Sequence, residues 1–151
     1  MHESDFLIRT AVARDAPALA LLAAELGYPN TVDETRVRLS TVMDAPDNQV
    51  LVAETTAHEI VGWMHVFGAA RVESEGFAEL GGLVVAEAWR GRGVGSGLVA
   101  SAERWALENA YFKLRIRSRV ERAEAHRFFE RLGFVGRKTQ HVFERRLDGT
   151  K

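Results

Sequence analysis

A run of alternating glycines that begins at two arginines is the part of this sequence with the most readable chemistry. The segment from Arg90 to Gly97 (RGRGVGSG) follows a strand-like stretch, Glu79–Val85, and opens an apolar helical pattern. Glycines let successive backbone amides turn inward, and the first turn of a helix offers free amides and a positive dipole end, so this segment fits a diphosphate. Arg90 and Arg92 add positive charge at the rim. The alternative, a flexible turn with solvated arginines, is disfavoured by the strand before it and the helix after it.

The glycine spacing argues against two common nucleotide-binding motifs. In the dinucleotide fingerprint the third glycine would fall at Ser96 or Leu98, and no Lys-Ser or Lys-Thr pair follows as it does in a P-loop. Hydride transfer and nucleotide hydrolysis are therefore both disfavoured.

Composition narrows the remaining functions. The formal net charge is −1 and the two signs are interleaved, so no global field attracts nucleic acid or an anionic membrane. There are no cysteines, which excludes disulfides, thiolate zinc sites and a cysteine nucleophile. The five histidines are scattered, so we expect no metal.

The N-terminal stretch Met1–Thr10 lacks the basic start and apolar core of a signal peptide, and no apolar run approaches the roughly 18 residues that span a bilayer. We expect a cytoplasmic protein with no membrane partner.

A nucleic-acid-binding module is an alternative because four arginines cluster late in the chain. They are Arg115, Arg117, Arg119 and Arg122. Three of them would share one strand face, but Glu121 and Glu124 follow closely, which weakens the interpretation. We expect no nucleic-acid partner.

Hydrophobic periodicity predicts a mixed α/β domain. The predicted strands are Phe6–Ala11, Val50–Ala53, Ile60–Phe67, Glu79–Val85, Leu114–Ser118, Phe134–Gly136 and Gln140–Leu147. The predicted helices start at Asp15, at the Thr31–Glu34 capping box, at Val94 and near Ala125, and Gly27 and Gly133 close the first and last of them. No linker or repeat interrupts the pattern, so residues 1–151 are predicted to form a single domain.

Two adjacent glycines, Gly81 and Gly82, interrupt the strand that precedes the glycine-rich segment. Such a pair weakens pleated packing and is typical of a β-bulge or of another molecule's close approach. The helix after this strand predicts a parallel crossover to the strand at Leu114, with a ligand at the carboxyl ends of the strands.

Two segments together resemble the GNAT superfamily of N-acetyltransferases. Arg90-x-x-Gly93-x-Gly95 after Leu83–Val85 is similar to the family's pyrophosphate-binding motif. Ala125–Phe134 (AHRFFERLGF) resembles its late helix and following strand, usually Ala-x-x-Phe-Tyr-Glu-x-x-Gly-Phe. The run at Ala125 and Lys138–Gln140 resembles an aminoglycoside acetyltransferase-like subgroup. The resemblance covers nearly the whole chain and implies a mostly antiparallel sheet of about seven strands, about four flanking helices, and parallel strands that splay at the cofactor cleft.

The resemblance also implies a cofactor, acetyl-coenzyme A, and the residues that bind it. Backbone groups of Leu83, Val84 and Val85 would pair with the pantetheine arm. The pyrophosphate would be held by the loop and the first helical turn, at Arg90, Arg92, Gly93, Val94, Gly95 and Ser96. Relatives often have a cofactor-contacting asparagine where this chain has Arg122.

The implied activity is N-acetyl transfer to a primary amine of a small molecule or peptide, by direct attack in a ternary complex. A backbone amide at Val84 or a neighbour would stabilise the oxyanion. Glu79 is the first candidate for the base, with a surface ion pair as the alternative; His65 is another candidate, with core packing as its alternative. Tyr28, Asn30 and His65 are the predicted acceptor contacts.

One family position departs from the pattern. The tyrosine that usually protonates the leaving thiolate is Phe129 here, whose spacing also fits a plain core position. The thiolate would then leave unaided or be protonated by water. A second hypothesis follows: an acyl-coenzyme A-binding sensor or partner protein with little turnover. A homodimer that pairs the edge formed by Val142–Leu147 is a further possibility.

Overall fold

The computed structural model describes residues 5–118 and 121–151 of the chain. The α-helices are α1 (Ala16–Glu25), α2 (Val32–Asp44), α3 (Val94–Glu108) and α4 (Ala123–Arg131). The strands are β1 (Phe6–Thr10), β2 (Asn48–Thr55), β3 (Ile60–Ala69), β4 (Phe77–Val85) and β5 (Leu114–Ile116). No helix in these described ranges is long and apolar enough to cross a bilayer. Arg119 lies outside the described residues.

The chain divides into two compact units, Met1–Arg117 and Ser118–Lys151. The first contains the whole sheet and α1 to α3, and the second contains α4 and the C-terminal segment. The prediction of one domain over residues 1–151 stays a prediction.

The strands of the first unit form one mixed sheet in the order β1-β2-β3-β4-β5. The first three neighbouring pairs are antiparallel and only β4 and β5 run parallel. α3 connects these two parallel strands, in agreement with the predicted crossover. The mixed, mostly antiparallel α/β architecture is therefore confirmed.

Helices cover both faces of the sheet. Trp63 packs against an apolar cluster that includes Leu19 of α1 and Leu39 of α2. Its neighbour Gly62 points to the opposite face, because successive strand residues alternate, and a side chain there would lie 2.8 Å from Val94 of α3. Gly62 is thus a glycine because α3 packs directly onto β3.

The paired glycines of β4 lie at a β-bulge, as predicted. His65 of β3 stands opposite Gly82 while Val66 stands opposite Leu80, so Gly81 is an extra residue in the ladder. A side chain at Gly81 would come within 2.9 Å of the Phe67 ring. Both the irregular register and this crowding explain why the position is a glycine.

The prediction of about seven strands was wrong for the described residues, which form five. The segments Phe134–Gly136 and Gln140–Leu147 have no ladder partners and are not strands. Their apolar side chains are largely exposed, 87% for Val142 and 92% for Leu147. β-propensity reflects packing on a half-buried sheet, and these side chains lack such a surface. The homodimer through Val142–Leu147 stays a prediction without the strand it assumed.

Candidate active site

β4 has an open backbone edge beyond its bulge. The parallel ladder with β5 covers only Ala78 to Leu80, whereas β4 continues to Val85. From Gly81 onward no described strand pairs with that side of β4. The two parallel strands therefore part at the bulge and leave unpaired backbone groups along the rest of β4.

The direction of these backbone groups follows from the β3–β4 ladder. The amide of Ala86 donates to the carbonyl of Val61 at 2.8 Å, and Trp63 stands opposite Val84. Because hydrogen-bonded and non-hydrogen-bonded pairs alternate, Val84 exchanges its backbone bonds with Trp63. Leu83 and Val85 consequently turn their amides and carbonyls toward the open edge. The Val84 amide, predicted to be the oxyanion donor, is thus hydrogen-bonded to β3. The amides of Leu83 and Val85 face the open edge instead.

The N-terminus of α3 lies beside the end of β4. Gly62 stands opposite Val85 in the ladder and packs against Val94, the first residue of α3. The open strand edge and the first turn of α3 therefore share one end of the sheet.

The first turn of α3 keeps its backbone amides unsatisfied. Its N-cap, Gly93, has φ +88°, and no side chain caps the helix. The first intrahelical bond runs from the Gly97 amide to the Gly93 carbonyl at 3.0 Å, which leaves the amides of Val94, Gly95 and Ser96 without helical acceptors. A side chain at Gly93 would meet no atom within 4 Å, so the space around it is open. Such a terminus suits an anion.

Two arginines, Arg90 and Arg92, come directly before this turn in the chain. Arg92 lies over the Trp89 ring at 3.9 Å and is 4.0 Å from the Asp5 carboxylate, with about half of its side chain exposed. Arg90 precedes Gly91, whose φ of +76° is in the left-handed region that favours glycine. The rim of the α3 N-terminus is therefore cationic, which suits a phosphate-bearing ligand.

Glu79 lies on β4, two residues before the bulge. Its side chain is 13% exposed and accepts hydrogen bonds from Arg117 Nε at 3.2 and 3.3 Å. The ion pair expected as the alternative for this residue is thus present, and any role as a base must compete with Arg117.

His65 lies on β3, directly opposite Gly82 of the bulge. Its Nε2 is 2.7 Å from Asn48 Oδ1, and its ring centroid is 5.3 Å from that of Phe67. Burial lowers the pKa of His65 below its ordinary value of 6.5. A neutral imidazole therefore stands at the bulge around neutral pH.

The predicted acceptor contacts Tyr28 and Asn30 lie in the loop between α1 and α2. Asn30 Nδ2 donates to the Tyr28 carbonyl at 3.1 Å, and Arg38 donates to Asn30 Oδ1 at 2.7 Å. The preceding helix reaches the end of β4, because Glu25 Oε1 accepts from the Glu87 amide at 3.3 Å. Asn30 therefore orders this loop through both ends of its amide.

Two residues that the sequence analysis singled out, Arg122 and Phe129, lie in the second unit. Arg122 is exposed at the N-cap of α4. Phe129 makes edge-to-face contacts with Phe128 and Phe134 at centroid distances of 5.2 and 5.7 Å. These contacts agree with a packing role for Phe129.

Sequence reasoning missed Asn48 and Arg117, the partners of the two candidate bases. Asn48 is 17 residues from His65 and Arg117 is 38 from Glu79. Both contacts depend on strand register, and no sequence spacing announces them. Among the described residues, no group of three or more metal-ligating side chains lies together.

The sequence matches the model of the acetyltransferase (GNAT) family over residues 14–134. No sequence among curated proteins matches the chain significantly.

Several solved structures share the fold. A transcriptional regulator from Bacillus halodurans C-125 is 24% identical, with a TM-score of 0.80 over 92% of this chain and 99% of that one. The aminoglycoside 6'-N-acetyltransferase AAC(6')-Ih from Acinetobacter baumannii is 18% identical, with a TM-score of 0.83 over 94% and 99%. AAC(6')-Iy, in complex with the bisubstrate analogue CoA-S-monomethyl-acetylneamine, is 18% identical, with a TM-score of 0.82 over 93% and 98%.

Proposed function

Because the chain belongs to the GNAT acetyltransferase family, we propose that it transfers an acetyl group from acetyl-coenzyme A to a primary amine, by direct attack in a ternary complex. The observation that carries this proposal is the open edge of β4 beside the uncapped N-terminus of α3. The edge of β4 offers backbone hydrogen bonds to an extended chain that contains amides, and the N-terminus of α3 offers free amides to a diphosphate.

Coenzyme A fits both parts. The amides of Val94, Gly95 and Ser96, with those of Arg92 and Gly93, would hold the pyrophosphate, and the guanidinium groups of Arg90 and Arg92 would balance its charge. The structural neighbour solved with a coenzyme A bisubstrate analogue supports the same donor. Arg122 stays a proposed cofactor contact.

The pantetheine arm has two amides, which match the outward-facing backbone groups of Leu83 and Val85. These residues would pair with it as a strand does, while Val84 between them stays paired with β3. The thioester would then lie at the bulge, where an outward amide of Leu83 or Val85 can donate to the oxygen that gains negative charge. When bound, acetyl-coenzyme A supplies the activated acyl group.

The acceptor is a primary amine of a small molecule or peptide. The solved neighbours that acetylate aminoglycosides support a small polyamine, and the loop with Tyr28 and Asn30 would contact it. Glu79 or His65 would take its proton. No tyrosine stands at Phe129, and a thiol with a pKa of about 8.5 can be protonated by water.

The test begins with calorimetric titration of acetyl-coenzyme A into the protein, followed by coenzyme A release with aminoglycosides, amino sugars and peptides as acceptors. Binding and amine-dependent release are expected. No binding would overturn the proposal.

The packing of Phe129 against Phe128 and Phe134 favours one alternative, an acyl-coenzyme A-binding sensor with little turnover. Binding without amine-dependent release across the whole panel would favour it.

A further inference from the structure

A hydrogen-bonded chain fixes the tautomer of His65. Asn48 Nδ2 donates to the Pro46 carbonyl at 2.9 Å. A carbonyl oxygen can only accept, so this contact fixes which end of the Asn48 amide is the nitrogen. Asn48 Oδ1 therefore faces His65 and accepts from Nε2 at 2.7 Å. The proton of the neutral ring lies on Nε2, and Nδ1 carries a lone pair.

That lone pair lies at the bulge of β4. Nδ1 is 3.3 Å from the point that a Cβ at Gly81 would occupy, so the absence of a side chain there leaves the nitrogen uncovered. Within the described residues, Nδ1 has no hydrogen-bond partner. The unpaired polar side-chain atoms that are fully buried there are Trp63 Nε1 and Ser118 Oγ. Because Nδ1 is not among them, it is not sealed from solvent. Nδ1 is therefore an accessible acceptor beside the proposed position of the thioester.

We propose that His65 is the general base of the acetyl transfer, acting through Nδ1, and that Asn48 is its positioning residue. This inference rests on the proposed function. The neutral amine of the acceptor attacks the thioester carbonyl and forms the new N–C bond with its lone pair. Nδ1 takes one proton from that nitrogen, the C–S bond breaks with its electrons on sulfur, and the proton returns through solvent to the thiolate.

The other candidate base is less free to act. The carboxylate of Glu79 accepts two contacts from Arg117, while the Nδ1 of His65 accepts none. Val50 and Gly82, the residues directly opposite His65 on its two neighbouring strands, carry no charge. The titratable side chain on this stretch of β4 is Glu79, with Arg117 beside it. Burial also keeps the pKa of His65 below its usual range, so the base form predominates at neutral pH.

The first experiment compares kcat, KM and acetyl-coenzyme A affinity for His65→Gln, Glu79→Gln and wild type. Glutamine keeps a donor for Asn48 but cannot accept the proton. We expect kcat of His65→Gln to fall by about 100-fold or more with unchanged acetyl-coenzyme A affinity, and Glu79→Gln to lose less. His58→Gln is the matched control, because His58 is 84% exposed on the β2–β3 turn.

The kinetic outcomes separate the two candidate bases. A His65→Gln variant within about threefold of wild-type kcat, or a larger loss for Glu79→Gln, would overturn the assignment of the base. Failure of the wild type to bind acetyl-coenzyme A would overturn the proposed function itself.

A second measurement does not depend on turnover. Nitrogen-15 NMR of the ligand-free protein should show His65 protonated at Nε2 and bare at Nδ1; the opposite tautomer would overturn the proposal. Asn48→Asp should stabilise the imidazolium and move the acidic limb of the kcat/KM profile upward by about one pH unit. A limb at the wild-type position would mean that Asn48 does not position the base.

Discussion

The N-termini of α2 and α3 differ in whether side chains satisfy their free backbone amides. At α2, Thr31 Oγ1 accepts from the Glu34 amide at 3.0 Å, and Glu34 Oε1 accepts from the Thr31 amide at 2.8 Å. At α3, the N-cap is Gly93 and the first turn has neither a capping side chain nor an acidic residue. Side chains at the start of α2 satisfy its free amides, whereas the first-turn amides of α3 stay available to a ligand.

The difference separates stability from function. A capping side chain stabilises a helix by only about a few tenths of a kcal/mol relative to a glycine N-cap, so α3, which begins at Gly93, forgoes about that amount in the ligand-free protein. The Ser96 hydroxyl does not recover it, because it donates to the Gly93 carbonyl at 3.3 Å. An anionic ligand at α3 would supply the missing acceptors and should stabilise the fold.

The largest expected effect is the loss of acetyl-coenzyme A affinity when carboxylates are placed at the N-terminus of α3, as Glu34 is at α2. The double substitution Gly93→Asp and Gly95→Asp sets carboxylates at the free amides, which both occupy them and repel a diphosphate. Each charge-assisted hydrogen bond contributes about 1.5–3 kcal/mol, so acetyl-coenzyme A affinity should fall about 100-fold or more by calorimetry.

The matched control is Gly149→Asp, because Gly149 has φ +85°, close to that of Gly93, and lies far along the chain. It should bind like the wild type. Circular dichroism and thermal unfolding show whether the double variant is folded. A folded double variant with wild-type affinity would remove the α3 N-terminus from the site.

Removing the cap of α2 should lower the stability of the protein without changing its affinity for acetyl-coenzyme A. Thr31→Ala loses the acceptor for the Glu34 amide, and the free energy of unfolding should fall by about 1 kcal/mol in urea titrations. Acetyl-coenzyme A affinity should not change. Thr41→Ala is the control, since its hydroxyl donates to the Val37 carbonyl within the helix, and it should not destabilise the protein. An affinity change in Thr31→Ala would break the separation between the two termini.

The sequence predicted best those features that are local along the chain. The Thr31–Glu34 capping box and the glycine N-cap of α3 each depend on residues within a single turn, and the structure has both. The bulge was also predictable, because two adjacent glycines weaken a regular strand and are typical of an interrupted ladder.

Features that depend on strand partners were less predictable. The outward direction of Leu83 and Val85 depends on the parity of the β3–β4 ladder after the extra residue Gly81. The contact between Asn48 and His65 joins two strands in a particular register. The segment Gln140–Leu147 was predicted to be a strand but has no ladder partner. Composition indicates which side chains suit a sheet, and only the partner strand decides whether a sheet forms.

A smaller effect should come from the charges around the two termini. Arg92→Gln removes one exposed cation at α3 and should weaken acetyl-coenzyme A binding about fivefold, with a larger loss at low ionic strength. The control is Arg36→Gln, because Arg36 pairs with Asp33 in the first turn of α2 at 2.6 Å. Equal losses in both variants would mean that the effect reflects overall charge. A loss that ignores salt would argue against contact with phosphate.

The smallest effect should be a pH dependence confined to α2. Hydrogen bonds from the Thr31 backbone and side chain lower the pKa of Glu34 below its ordinary value of 4.5. A folded-state pKa below the unfolded one means that the ionised form stabilises the fold; that stabilisation is complete above the unfolded pKa and disappears as pH falls through the folded one. Glu34→Gln keeps an oxygen acceptor for the Thr31 amide but does not titrate.

The stability difference between wild type and Glu34→Gln, measured by urea titration, should therefore be present at neutral pH and vanish in acid. Comparing the two variants cancels the titration of every other carboxylate. A stability difference that does not change from pH 7 to pH 3 would show that the charge of Glu34 does not contribute to capping α2. Glu34 would then cap α2 without a contribution from its charge, unlike the ionised phosphates proposed to bind α3.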